Sequence, residues 1–320
     1  MDGLPQNFVP PYNALPLVAA LRDRGYRFTA VTPATHRLVN ARAENSWAAS
    51  TVDVFGWSRK FAGSVLDAEL FAMAAEAGIL EPVAGSAIPA WRSRLRAASL
   101  DGFVLLHSAF PTEAADAVFF GPDTYRFAAA VTAHLRGTRT VRRAIDVGCG
   151  TGAAGILIAR AHPDAEVILA DISGAAVALA TCNAAAAGAD RVICIRSDLF
   201  TGIEGGFDLI VANPPYLNDP LRRLYRHGGG ALGAALSLRI LQESLPRLAA
   251  GGTLLLYTGS AIVGGRDAVF EGASAILAGA GLKWHYRELD PDVFGEELRT
   301  QAYGRADRIA AVLLTVERPA

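Results

Sequence analysis

Ala144-Ile145-Asp146-Val147-Gly148-Cys149-Gly150-Thr151-Gly152 is the stretch that decides the fold. Ala144–Val147 reads as a buried strand, the glycines as a tight turn, and the Ala-rich run to about Ala161 as a helix. Glycine at such a turn lets the backbone bend sharply and approach a ligand without Cβ interference. The same alternation continues downstream. Strands are expected at Glu166–Ala170, Arg191–Arg196, Phe207–Ala212, Thr253–Tyr257 and Ile309–Val316, with helices to Ala187, over 234–249 and over 265–280. Strands alternating with helices mean a parallel sheet covered on both faces.

The acids at the strand ends suggest a ligand. Asp146 closes the first strand and offers a carboxylate near a ligand's ammonium group. Asp171 ends the next strand 25 residues later and suits a ribose diol, whose two hydroxyls a carboxylate accepts bidentately. Asp198 follows the third strand and could accept from an adenine amino group, with Ile172 and Leu199 packing on the ring. These positions, together with Gly148, Cys149, Gly150 and Gly152, point to an adenosyl ligand. A dinucleotide is the rival, because Gly150-Thr-Gly152-Ala-Ala-Gly155 matches GxGxxG. That match starts late, after Gly148, and Asp146 would set negative charge near a pyrophosphate.

Asn213-Pro214-Pro215-Tyr216 follows the strand Phe207–Ala212 directly. The prolines fix φ and remove two backbone donors. The Asn213 carboxamide oxygen and a nearby carbonyl, that of Pro214, can accept from both hydrogens of an –NH2 group, and Tyr216 offers a flat face for stacking a base or carboxamide. The chemistry this suits is in-line methyl transfer to nitrogen, in which orientation supplies much of the rate. The loop 217–233 is rich in Arg and Gly, so Arg222, Arg223, Arg226 and His227 are expected to touch substrate or cofactor.

Composition sets the remaining bounds. The chain has 320 residues, 52% of them hydrophobic and many of those Ala, with a net charge of −1. That length suggests two globular domains, divided as 1–115 and 116–320. No global field draws the protein to nucleic acid or an anionic membrane. Cys149, Cys182 and Cys194 form no CxxC pair, which argues against a zinc site or disulfide framework and for a cytoplasmic location. Neither a signal peptide nor a membrane span is expected. Residues 1–15 read as irregular, Leu15 to about Arg24 as a helix stopped by Gly25, 34–50 as weakly helical, and Ala68–Ala77 as a helix closed by Gly78. Ser93–Ala98 and Phe103–His107, joined at Asp101-Gly102, read as a small hairpin with an exposed edge strand. A mainly helical module with such a hairpin is compatible with a winged helix, although ten basic residues balance ten acidic ones over 1–115. The clusters Arg92/Arg94/Arg96 and Arg139/Arg142/Arg143 read as solvated faces, and the lone histidines His36, His107, His134, His162 and His285 as structural or surface residues.

Taken together, Asp146–Gly152 and Asn213–Tyr216 resemble class I S-adenosylmethionine-dependent methyltransferases of the "methyltransferase small" group, in particular the HemK-like release-factor glutamine methyltransferases. Phe120-Gly121-Pro122-Asp123-Thr124-Tyr125 sits where that family carries Pro-Arg-Pro-x-Thr-Glu, with Gly121 and Tyr125 in place of Arg and Glu. Gly228-Gly229-Gly230 and the helix holding Arg239 are similar to a segment after the family's NPPY motif. The resemblance implies a Rossmann-like α/β fold with a mostly parallel seven-stranded sheet, S-adenosyl-L-methionine as cofactor, Thr124 among the cofactor-binding residues, and no metal. It implies a glutamine-like protein or peptide acceptor. A nucleic-acid acceptor of the adenine-N6 or guanine-N2 type and a small-molecule acceptor stay open.

Overall fold

The structure is a computed structural model that describes residues 12–137 and 140–320. The expected irregular start falls mainly on residues 1–11, and Arg139 on the second gap, so both lie outside the described residues. The N-terminal elements are α1 (Leu15–Asp23), α2 (Pro33–Asn40), α3 (Thr51–Phe55), α4 (Ala68–Glu76) and strands β1 (Leu80–Pro82), β2 (Trp91–Ser93), β3 (Leu95–Leu100) and β4 (Phe103–Ser108). The remainder is α5 (Pro122–Gly137), β5 (Arg143–Val147), α6 (Ala153–Ala161), β6 (Glu166–Asp171), α7 (Gly174–Ala186), β7 (Val192–Arg196), β8 (Phe207–Ala212), α8 (Ala235–Ser244), β9 (Leu248–Val263), β10 (Arg266–Asp267), α9 (Ala268–Leu277), β11 (Lys283–Asp290) and β12 (Arg308–Glu317).

The main sheet runs β11-β12-β9-β8-β5-β6-β7, with the two-residue β10 added on β9. The pairs from β9 through β7 are parallel, whereas β12 is antiparallel to both β9 and β11. The strand order reverses at β5, and a ligand crevice opens at the carboxyl ends of strands beside such a switch point. Register then sets the site. Val147 pairs with Ala170 on one side and with Ala212 on the other, so Gly148, Asp171 and Asn213 leave the sheet at one level.

The central strands are apolar runs buried on both faces, as a parallel sheet between helix layers requires. α5 carries Pro122 and Asp123 in its first turn and His134 and Arg136 in its last, matching the steric and dipolar preferences of helix ends. Ser173 caps α7 by accepting from the Ala176 amide at 3.3 Å.

The N-terminal elements share a core with the sheet domain. Leu17 and Leu21 of α1 and Leu105 of β4 bury in one cluster with Ile156 and Leu157 of α6 and Leu179 and Cys182 of α7. Asn183 of α7, fully buried, joins the two halves by accepting from the Leu106 amide (2.8 Å) and donating to the Leu106 and Thr151 carbonyls (both 3.0 Å).

The structure corrects several expectations. The β3–β4 hairpin is buried almost throughout, so it is a core ribbon and not the projecting wing of a winged helix. The edge strand expected over Ser93–Ala98 splits at Arg94. Arg96 is buried, donating to the Ser108 carbonyl at 3.1 Å and facing His36 Nδ1 at 3.3 Å, so it leaves the solvated Arg92/Arg94 face. Burial first, and then the Arg96 charge, hold His36 down to about 4, so it packs as a neutral ring. The helix expected over 234–249 ends at Ser244, because Leu248 pairs with Phe207 and already belongs to β9. The region 34–50 resolves into α2 and a short 3-10 turn, Ala43–Asn45.

Candidate active site

A cavity of about 390 Å3 lies at the carboxyl ends of β5, β6, β7 and β8. Asp146, Gly148, Cys149, Gly150, Asp171, Ile172, Asp198, Leu199 and Thr124 line it, as do Asn213, Pro214, Pro215, Tyr216, Arg222, Arg223, Arg226 and His227. Gly152 does not. It starts α6 at φ +79°, and a Cβ there would sit 2.9 Å from the Leu169 side chain, so its smallness serves helix–sheet packing. Several lining residues escaped sequence reading, among them Pro33, Asp123, Phe119, Tyr225, Phe294 and Arg239. Most are apolar or aromatic and come from outside the two motifs, so only the fold brings them there.

The glycine turn is held by the next strand. The Gly148 and Cys149 amides donate to the Ala170 carbonyl at 2.8 and 3.1 Å. Gly148 and Gly150 have φ of +72° and +53°, and a Cβ on either would meet no atom within 4 Å. Both therefore leave open cavity where another residue would add a side chain at a strained φ.

The carboxylates differ in environment. Asp146 is 2% exposed, and its Oδ2 accepts one bond, from the Gly155 amide at 3.3 Å. Burial pushes its carboxyl up to about 7, the Gly155 amide opposes this, and the Asp171 charge adds to it. Asp171 accepts from the Gly150 and Ser173 amides, both at 2.9 Å, through different oxygens. Burial raises its pKa and those amides counter the rise. Each oxygen has lone-pair capacity left for a second donor. Asp198 is half-exposed and held by both terminal nitrogens of Arg239, at 3.0 and 3.2 Å. It reaches the cavity as half of an ion pair, with one donor on each oxygen and lone-pair capacity left on both.

The donor set fits S-adenosylmethionine. A buried, under-bonded carboxyl stands at Asp146 for a ligand ammonium. A carboxylate with spare lone pairs stands at Asp171 for a ribose diol. Open space over Gly148 and Gly150 admits a ligand against the backbone.

At the far end, the Asn213 carboxamide makes no hydrogen bond among the described residues and faces the cavity. Its backbone setting is enforced by the glycines that follow. A Cβ at Gly228 would collide with the Gly233 carbonyl and lie 2.6 Å from the Pro215 carbonyl oxygen, so the 228–233 segment wraps directly over the Pro215–Tyr216 backbone. Tyr216 does not offer a free stacking face. Its ring packs against Gly259, where a Cβ would collide with it, meets Phe294 edge-on at 5.8 Å, and is 7% exposed. Its buried hydroxyl stands beside Asp123, short of a hydrogen bond. Asp123 instead accepts from Tyr257 at 2.6 Å and pairs with Arg126 at 3.4 Å. Burial raises the Asp123 pKa, and the Tyr257 hydroxyl opposes the rise.

The arginines of loop 217–233 divide by role. Arg223 forks onto buried Asp219 at 2.9 and 2.7 Å, and Arg226 pairs with Glu297. The Arg223 hydrogen bond holds the Asp219 carboxyl below its usual range. His227 Nδ1 accepts from the Asp219 amide at 3.2 Å. These three hold the loop in place. Arg222, exposed and at φ +50°, makes no ion pair among the described residues.

The strand order and the glycine turn at the switch point define a Rossmann-like α/β fold with a mostly parallel sheet. Residues 119–263 match the family described as Methyltransferase small domain. The chain is 38% identical over 134 residues to the ribosomal protein uL3 glutamine methyltransferase of Xanthomonas campestris, covering 38% of this chain and 44% of that one. It is 39% identical over 127 residues to the release factor glutamine methyltransferase of Deinococcus radiodurans, covering 36% and 44%. The chain thus spans less than half the length of these curated relatives. A solved SAM-dependent methyltransferase from Agrobacterium tumefaciens aligns at a TM-score of 0.49 and 18% identity, over 76% of this chain and 77% of that one. Among the described residues no helix is long and apolar enough to cross a membrane.

Proposed function

We propose that this protein is an S-adenosylmethionine-dependent N-methyltransferase whose acceptor is a glutamine side-chain carboxamide in a protein. The observation that carries the reading is Asn213: an unpartnered carboxamide at the exit of β8, in register with the glycine turn. The glutamine methyltransferase names of the two relatives support the acceptor class.

In this reading S-adenosylmethionine supplies a methyl group already activated on a sulfonium. The protein supplies position. Asp146 holds the ammonium end, Asp171 the ribose, and Ile172 and Leu199 pack on the adenine. The Asn213 oxygen accepts from one hydrogen of the acceptor –NH2. The Pro214 carbonyl, which makes no hydrogen bond among the described residues, accepts from the other. That double clamp turns the nitrogen lone pair toward the methyl donor, so orientation does most of the catalytic work. Tyr216 acts behind the clamp by filling the space over Gly259. Residues 1–115 form an accessory recognition module that reaches the site at Pro33, and the cofactor and acceptor residues lie in 116–320.

Labelled methyl transfer into a fractionated cell extract, followed by identification of the modified residue, tests this. Protease-sensitive label on glutamine is expected. Label that is nuclease-sensitive, or that stays in the low-mass fraction, would replace the acceptor class.

A further inference from the structure

Arg239 of α8 lines the cavity from outside the glycine turn and the Asn213 motif. The ends of β6 and β7 bring Ile172, Asp198 and Leu199 to the same cavity. The backbone at this end is pinned. The Arg196 Nε donates to the Ile172 carbonyl at 3.1 Å. The Ser197 hydroxyl faces the Leu199 and Thr201 carbonyls at 3.0 and 2.8 Å. Leu199 is held at φ +50°, a left-handed setting that a side-chain-bearing residue keeps only where its surroundings enforce it.

A pinned backbone leaves the plane of the Asp198 carboxylate open, because the torsion that turns an aspartate carboxylate is broad. Arg239 closes that freedom. Its two terminal nitrogens donate one to each Asp198 oxygen, at 3.0 and 3.2 Å, and such a fork fixes the carboxylate plane. The guanidinium is held from the other side, since its Nε donates to Glu243 Oε1 at 2.7 Å, one turn along α8. Each Asp198 oxygen keeps a lone pair for a further donor. A donor is accepted best near the carboxylate plane, so Arg239 decides where those remaining acceptor sites point. The pair is half-exposed, and an ion pair of that kind adds little to fold stability.

We propose that Arg239 is a positioning residue for the cofactor's adenine, setting the plane of the Asp198 carboxylate so that it accepts from the adenine amino group. This rests on the cofactor reading above and adds the residue that orients the contact.

Calorimetry on the full chain with S-adenosylhomocysteine and with its 6-deamino analogue, whose base is unsubstituted purine, tests this. The wild type should prefer the adenosyl ligand by about tenfold, and Asp198→Ala should abolish that preference. Arg239→Ala should narrow it to about threefold or less. Arg239→Lys keeps the charge without the fork and should narrow it as far. It decides the matter alone if Arg239→Ala does not fold. The readout is the ratio of the two affinities, which a merely structural role would leave unchanged because both ligands share the rest of the site. A wild-type ratio in either Arg239 variant overturns the positioning role. So does a wider ratio, which would mean that Arg239 competes with adenine for Asp198. A wild type that binds both ligands alike removes Asp198 from the adenine, and the proposal with it, and leaves the cofactor reading standing. A wild type that binds neither overturns the cofactor reading itself.

Discussion

Val147 and Ala212 are register partners in adjacent parallel strands, so Gly148 and Asn213 emerge side by side from one hydrogen-bond ladder. Neighbouring strands are about 4.8 Å apart, which sets the cofactor turn and the acceptor clamp within one ligand's reach. The sheet itself, and not a mobile loop, fixes the relation between the two halves of the site.

Asp171 should be the strongest single determinant of cofactor affinity. Asp171→Ala removes the ribose acceptor and also leaves the Gly150 and Ser173 amides without their partner. Hydrogen bonds to a charged group are worth about 1.5–3 kcal/mol, so S-adenosylhomocysteine should bind roughly tenfold to a hundredfold more weakly by calorimetry. An unchanged affinity would remove Asp171 from the cofactor site.

Asp146 predicts a pH dependence. Its folded pKa of about 7 lies above its unfolded value of 3.8, so folding favours the protonated form. The stability this group contributes is complete below 3.8 and is lost as pH rises through 7. A ligand ammonium needs the carboxylate. S-adenosylhomocysteine affinity should therefore fall as pH drops below 7, by up to about tenfold per pH unit, and level off above it. Asp146→Asn should flatten that profile, weaken binding, and raise the melting temperature of the ligand-free protein at pH 8.

Gly228→Ala should separate chemistry from cofactor binding. The added methyl meets the Gly233 and Pro215 carbonyls, so the Pro215–Tyr216 backbone must shift. Misplacing a clamp by about 1 Å costs on the order of a hundredfold in rate. kcat should fall accordingly, with S-adenosylhomocysteine affinity retained. Equal loss of both would mean that the loop is structural for the whole cavity.

Asn183→Ala should loosen the two halves together. It leaves the Leu106 amide and the Leu106 and Thr151 carbonyls unpaired in the interior. The expected cost is about 2–4 kcal/mol, read by denaturant unfolding. Two separated unfolding transitions in the variant would show that Asn183 is what couples the N-terminal elements to the sheet.

Much of the fold and site was legible because the responsible residues are local. The strand–glycine–helix passage at Ala144–Gly152 and the strand running into Asn213 announce themselves by periodicity and by rigid or permissive backbone residues. β11 escaped because Lys283–Asp290 is a largely exposed edge strand without clean alternation. α5 escaped because its first turn coincides with the Gly121–Tyr125 segment, which reads as a family motif and not by helical periodicity. Arg96 looked like a surface charge, and only the fold shows it buried against His36. The ion pair between Asp198 and Arg239 joins residues 41 apart in sequence, and no local pattern carries such a pairing. The stacking face expected of Tyr216 is absent because Gly259, on β9, takes the ring.

The central claim is that Asn213 orients the acceptor nitrogen. Asn213→Ala, assayed in single turnover on the methylated acceptor with S-adenosylhomocysteine affinity measured alongside, tests it most directly. The rate should fall by about a hundredfold or more with the affinity nearly unchanged, since only the clamp is lost. A rate close to wild type would contradict the account.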